Sequence, residues 1–227
     1  MDCQKCKEHE PRTADVSCRP SLPDKGRMIL LQLTGVRLTG ARYDEIEKLV
    51  VDMYEECGLY AIPIDCFAIA QKLGYILIPY SYLSPFDQAE AFEKSDEGYS
   101  EIHCLNGMYR YFIYFNDYEP NHRRVRFTIF HEIGHCYLGH LDDDKGKSYA
   151  ELESEANFFA RTAIAPLPII CTMDLDYVEQ ISCEFDVSYT ASCHILNAYR
   201  QWLRYGARDY LEHEIKLLDM FGLRKAA

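Results

Sequence analysis

Apolar residues recur at helical spacing from Tyr43 to Cys57, where Ile46, Leu49, Val50, Met53 and Tyr54 share one face and Gly58 supplies a stop. Pro63 is expected to open a second helix in its first turn, with Phe67, Ala70 and Leu73 on one face and Gly74 as terminator. Tyr75–Tyr80 reads as a short strand. Glu97–Cys104 and Arg110–Phe115 read as two more, and the Asn106-Gly107 pair between them favours a hairpin. A helix beginning at Asn121 or Thr128 should run through His135 and end at Gly139. Another covers Tyr149–Ala165 and is stopped by Pro166 and Pro168. Beyond Asp174 the pattern is helical throughout: Tyr177–Phe185, Ser188–Tyr205 and Asp209–Phe221. Helices, a small sheet containing an antiparallel pair, then helices to the end make an α+β fold.

Residues 1–40 differ from the rest. They hold Pro11, Pro20, Pro23 and three glycines without a sustained period, so they read as a flexible N-terminal segment. Residues 41–227 read as one domain, with a helical C-terminal part from about residue 174. A domain this large buries enough surface to fold without a metal staple, so any metal it carries serves chemistry.

Charge narrows the partners. With 24 Lys and Arg against 36 Asp and Glu, the formal net charge is −12, which opposes binding to a phosphate backbone. The N-terminus lacks the apolar run and small-residue cleavage site of a secretory signal, and no apolar stretch is long enough to span a bilayer. Cys57, Cys66, Cys104, Cys136, Cys171, Cys183 and Cys193 sit singly in apolar segments, as reduced core thiols of a cytoplasmic protein do. Cys3 and Cys6 form a CxxC pair followed by His9 and Cys18, ligand types competent for a second metal or simply part of the flexible tail.

The chemistry concentrates at residues 131–135, His-Glu-Ile-Gly-His. Residues four apart on a helix share a face about 6 Å apart along the axis, so His131 and His135 can converge on one ion. Glu132 is offset from the pair and can reach a water held by that ion. The surrounding segment is apolar, so these polar groups need partners, and Gly134 in mid-helix implies a close approach to the backbone. A third ligand is required. Gly139 and His140 lie four and five residues beyond His135, not at the metzincin spacing, so His140 is read as a helix-end residue favoured by the dipole. The next helix offers Glu151, Glu153 and Glu155. Glu153 shares a face with Asn157, which can orient a ligand histidine from behind, whereas Glu155 is expected to be solvated.

These residues carry a resemblance. RFTIFHEIGHCYLGH followed by ESEANFFARTAIAP resembles the ImmA/IrrE metallopeptidase family, with its FTxxHExxH helix and its ExEAxxFAxxLLxP helix, over roughly residues 42–205. The ending Thr162–Pro166 departs from that second pattern. The resemblance implies a zincin-like, gluzincin-type core with Zn(2+) on His131, His135 and Glu153, Glu132 as general base and Asn157 at the matching Asn/Asp position. It also implies a specific protein substrate, a helix-turn-helix transcriptional repressor cut in a stress or mobile-element response. The rival reading is a zincin scaffold that binds a repressor or antitoxin without cleaving it.

Other features have plainer readings. Tyr177–Phe185 and Ser188–Tyr205 have helix-turn-helix spacing, but few basic residues favour packing over DNA reading. Arg123, Arg124 and Arg126 are either solvated charge at a helix entrance or a grip on an acidic substrate segment. One of the 18 tyrosines can supply a phenol to an oxyanion, and Asp142–Asp144 form an acidic loop.

Overall fold

A computed structural model describes residues 36–105, 107–141, 146–206 and 209–224. Cys3, Cys6, His9, Cys18, Asn106 and Asp142–Asp144 lie outside the described residues.

The first helix, α1 (Gly40–Cys57), starts two residues before Arg42 because the Thr39 side chain accepts from the Arg42 amide, and it ends on Gly58 at φ 63°. Leu38, ahead of it, already packs in the core, so the fold begins before residue 41. Helix α2 (Cys66–Lys72) is capped by Asp65, which accepts from the amides of Phe67 and Ala68. Pro63 therefore stands ahead of the helix, after a cis peptide bond, and not in its first turn. Strand β1 (Ile76–Pro79) runs into a 3-10 turn at Tyr80–Tyr82. Helix α3 (Pro85–Lys94), absent from the sequence-based expectation, has Ser84 as cap and Pro85 in its first turn.

Strands β2 (Gly98–Leu105) and β3 (Met108–Phe115) form the expected antiparallel hairpin, with Gly98 opposite Phe115. Among the described residues the sheet has three strands in the order β1-β3-β2, with β1 parallel to β3, so that β3 is central and β2 is an edge. Helix α4 (His122–Tyr137) starts at the Asn121 cap, packs against β2 and β3, and buries Ile129, Phe130 and Ile133 completely. Helix α5 (Tyr149–Ile164) packs against α4 on one side and α1 on the other. Helices α6 (Leu167–Thr172), α7 (Val178–Phe185), α8 (Tyr189–Tyr205) and α9 (Glu212–Met220) complete the chain. This is an α+β molecule of zincin-like architecture: a small sheet backed by the helix that carries the histidine pair.

Two close approaches fix the position of α4. A Cβ on Gly98 would lie 2.7 Å from Thr128 Cγ2 and 2.8 Å from the Tyr114 carbonyl oxygen, so the start of β2 presses directly on the helix. Gly98→Ala is expected to destabilise the domain by about 1–3 kcal/mol, read as a lower denaturant midpoint at unchanged slope, because the backbone it meets cannot step aside. On the other flank, a Cβ on Gly134 would sit 3.1 Å from the fully buried Phe159 ring of α5. The mid-helix glycine thus admits α5 close to the histidines, as its position implied.

Of the arginines at the entrance of α4, Arg124 is largely solvated, as expected of charge at a helix entrance, but Arg123 and Arg126 are neither solvated charge nor a free grip. Arg123 Nε bonds Asp186 Oδ1 at 2.9 Å, and Arg126 reaches Asp186 Oδ2 at 3.2 Å and the Ile64 carbonyl at 2.8 Å. Arg124 pairs with Glu97 beside β2, whereas Arg123 and Arg126 tie α4 to the turn between α7 and α8. Those two helices pack on each other and send Ile181, Phe185, Ile195, Leu196 and Tyr199 into the core, the packing role expected of them. Cys104 departs from the core-thiol reading: it is exposed near the hairpin tip, whereas Cys57, Cys66, Cys136 and Cys171 are buried. Among the described residues no helix is long and apolar enough to cross a membrane.

Candidate metal centre

Helix α4 delivers His131 and His135 from successive turns of one face, and α5 delivers Glu153 across the narrow gap at Gly134. The two Nε2 atoms stand 3.0 Å apart. Glu153 Oε2 is 3.4 Å from His131 Nε2, and Glu153 Oε1 is 3.3 Å from His135 Nε2. Zinc holds imidazole nitrogen and carboxylate oxygen at about 2.0–2.2 Å in a tetrahedron, whose ligands are then about 3.4 Å apart. The donor set, two neutral-capable imidazoles and one carboxylate at 3.0–3.4 Å, fits such an ion. The histidine side chains keep only 14% and 12% of their exposure, so the cluster is sheltered but reachable.

The cluster polarises its own members. Hydrogen bonds from His131 and then His135 hold the Glu153 carboxyl far below the usual carboxylate range, outweighing burial. Burial works against a charge on His131, but Glu153 and Glu132 overcome it and raise its pKa. Concentrating three ligand-type groups here fits a site built for a cation.

The three glutamates of α5 separate cleanly. Glu151 closes a capping box, its Oε2 accepting from the Ser148 amide and hydroxyl at 2.8 Å each. Glu153 faces the histidines. Glu155 is not solvated but 2% exposed, and it is paired with Arg42 at 2.5 Å, Lys147 at 2.6 Å and His140 at 3.0 Å. Burial alone would raise its pKa; these partners instead hold it at about 2. His140 likewise departs from the reading of a plain helix-end residue. Gly139, at φ 69°, turns the chain back, and the imidazole of His140 lies inside, its Nδ1 at 3.1 Å from His135 Nδ1. Burial pushes its pKa down to about 4.

Glu132 is buried at 7% exposure and accepts a 2.7 Å hydrogen bond from the Ser100 hydroxyl on β2. Ser100 had no signal in the sequence; its role depends on strand register. Both residues line a cavity of about 530 Å³ together with His131, His135, Glu153 and Asn157, a volume in the range of ligand sites. Asn157 adds favourably to a protonated His131, yet His131 Nδ1 is buried without a hydrogen-bond partner. Tyr99 and Tyr149 are the tyrosines on the cavity wall.

A histidine pair and a carboxylate at metal-binding distances, with a buried acid beside them in an open cleft, define a metallopeptidase-type centre. The chain belongs to the peptidase family of the IrrE N-terminal-like domain, whose family model matches residues 82–197 and so takes in β2, α4 and α5. No curated protein and no solved structure matches it significantly.

Proposed function

We propose that the chain is a zinc-dependent endopeptidase that hydrolyses a peptide bond in a specific protein, with His131, His135 and Glu153 as the metal ligands and Glu132 as general base. The observation that carries this reading is the 3.0–3.4 Å convergence of those three side chains with Glu132 beside them in the same cavity. When bound, zinc makes a water acidic enough to lose its proton near neutral pH and polarises a carbonyl oxygen. Glu132 takes that proton during attack on the scissile carbonyl and passes it to the leaving amine. The Ser100 hydroxyl occupies one oxygen of Glu132, which leaves the other free to face the cavity and fixes the rotamer.

The edge strand β2 supports the substrate class. Among the described residues it pairs with β3 alone, and its Gly98, Tyr99 and Ser100 line the cavity, so an extended peptide can add to it by main-chain hydrogen bonds. A helix-turn-helix repressor is the natural substrate in this reading, on the strength of the family resemblance, and its setting is the cytoplasm, a reading the buried thiols support.

Metal content tests the reading. Wild type purified without added metal should carry about one zinc per chain, and His135→Ala near none. Wild type that takes up no zinc on reconstitution would remove the mechanism. Zinc that persists in His135→Ala would put the ion elsewhere, with Cys3, Cys6, His9 and Cys18 as the first place to look.

A further inference from the structure

Behind the triad lies a second layer of buried polar groups that the proposed chemistry does not use. His140 and Glu155 each expose 3% of their side chains; His140 touches the cavity wall beside His135, and Glu155 lies behind it. They form a file: Glu155 Oε2 to His140 Nε2 at 3.0 Å, then His140 Nδ1 to His135 Nδ1 at 3.1 Å, then His135 Nε2 into the triad. Arg42 and Lys147 clamp Glu155 from the far side.

We propose that His140 and Glu155 are positioning residues for metal loading: they fix the ring plane and tautomer of His135 so that its Nε2 lone pair faces the triad. This rests on the reading of His131, His135 and Glu153 as metal ligands.

The direction of the file follows from counting protons between neutral rings. Glu155, held by two cations, only accepts, so His140 Nε2 must carry the N–H. The lone pair of His140 is then on Nδ1 and takes the N–H from His135 Nδ1. The Nδ1–H of His135 is thereby engaged behind the ring, and Nε2, which faces Glu153 at 3.3 Å, is the nitrogen left to serve a cation. The opposite alignment would set the His140 Nε2 lone pair against a carboxylate at 3.0 Å and give His135 Nε2 a hydrogen where a ligand lone pair is needed. Metal-ligating histidines are commonly held through the second ring nitrogen by a carboxylate or carbonyl. Here a second histidine is interposed, and the anchoring carboxylate comes from the same helix as Glu153, two residues on. The other ligand histidine has no such file behind it; Asn157 is the polar side chain beside His131.

The test is zinc affinity of the full-length chain, by competition with a chromophoric chelator, for wild type, His140→Phe, His140→Gln and Glu155→Gln. It is paired with two-bond proton–nitrogen NMR of the imidazoles in the metal-free proteins. His140→Phe keeps the buried volume but breaks the file, and should raise the zinc Kd about 10–100-fold. His140→Gln, whose amide can both accept and donate, should recover part of that loss. Metal-free wild type should show a hydrogen-bonded His135 Nδ1–H coupled to His140 Nδ1, and His140→Phe should lose it. Glu155→Gln, the gentler change should His140→Phe fold poorly, should weaken zinc in the same direction. His140→Phe binding zinc within twofold of wild type, or an unchanged His135 Nδ1–H signal in it, would overturn the proposal while leaving the ligand assignment intact. Wild type that binds no zinc would overturn both.

Discussion

Glu132→Gln is expected to lower peptide-bond hydrolysis about 10²–10⁴-fold while the chain keeps its full complement of metal. Glutamine has the shape of glutamate, and its amide oxygen can still accept from the Ser100 hydroxyl, so the buried contact at 2.7 Å survives. Glu132 is 7% exposed and is held in place by that contact. What disappears is a base that can hold a proton between attack and departure of the amine. Cleavage of a cognate protein followed by mass spectrometry, with zinc measured on the same sample, separates the two effects. A variant that turns over at the wild-type rate would take Glu132 out of the mechanism. A variant unable to cleave but still able to relieve a repressor in cells would favour the scaffold that binds without cutting. A generic protein is a poor probe for either arm, because a selective peptidase leaves most folded proteins alone.

Removing the metal is expected to abolish cleavage completely while the chain stays folded. The core does not depend on the triad: Ile129, Phe130, Ile133 and Phe159 are fully buried between the sheet, α4 and α5, and the same cluster reaches α9 through Leu217 and Leu218. Far-UV circular dichroism should be unchanged after chelation. The melting temperature should fall, since a ligand present at 100–1,000 times its Kd contributes about 2.7–4.1 kcal/mol to the native state. At about 2–4 °C per kcal/mol for a chain of this size, the drop is roughly 5–15 °C. Re-addition of zinc should restore both activity and melting point. Unfolding on chelation would instead make the ion a structural staple, at odds with the size of the core.

The parts of this site that could be read from the sequence are those fixed by helical periodicity. His131 and His135 converge because residues four apart share a face, and Gly134 pointed correctly to a close approach, which is that of Phe159. Glu153 could be ranked above its neighbours by face, and the convergence of its carboxylate with the two imidazoles agrees with that ranking. What failed was every judgement that needed a partner from far along the chain. Glu155 shares a stripe with Phe159, which should have marked it as buried, but the cation that makes burial tolerable is Arg42, 113 residues away. His140 could not be seen to fold inward without the turn at Gly139. Likewise Arg123 and Arg126 find Asp186 only once α7 and α8 have packed. Helix α3 was legible and overlooked: Ser84, Pro85 and Asp87 are a cap, a first-turn proline and a first-turn acid. Pro63 misled for the opposite reason, since Asp65 two residues on is the better cap.

The half-paired strand β2 has a bearing on how such an enzyme would choose its targets. A guest segment that docks along it must arrive as bare backbone, with its own amides and carbonyls released from whatever ladder or helix held them. Selectivity then depends on the target's fluctuations as much as on its side chains. When opening and reclosing of the target outpace cutting, the rate follows the population of the opened form, and each 1.4 kcal/mol by which the target holds itself shut slows scission about tenfold. A target protein that loosens when it leaves a partner would thereby become easier to cut without any change in the peptidase itself.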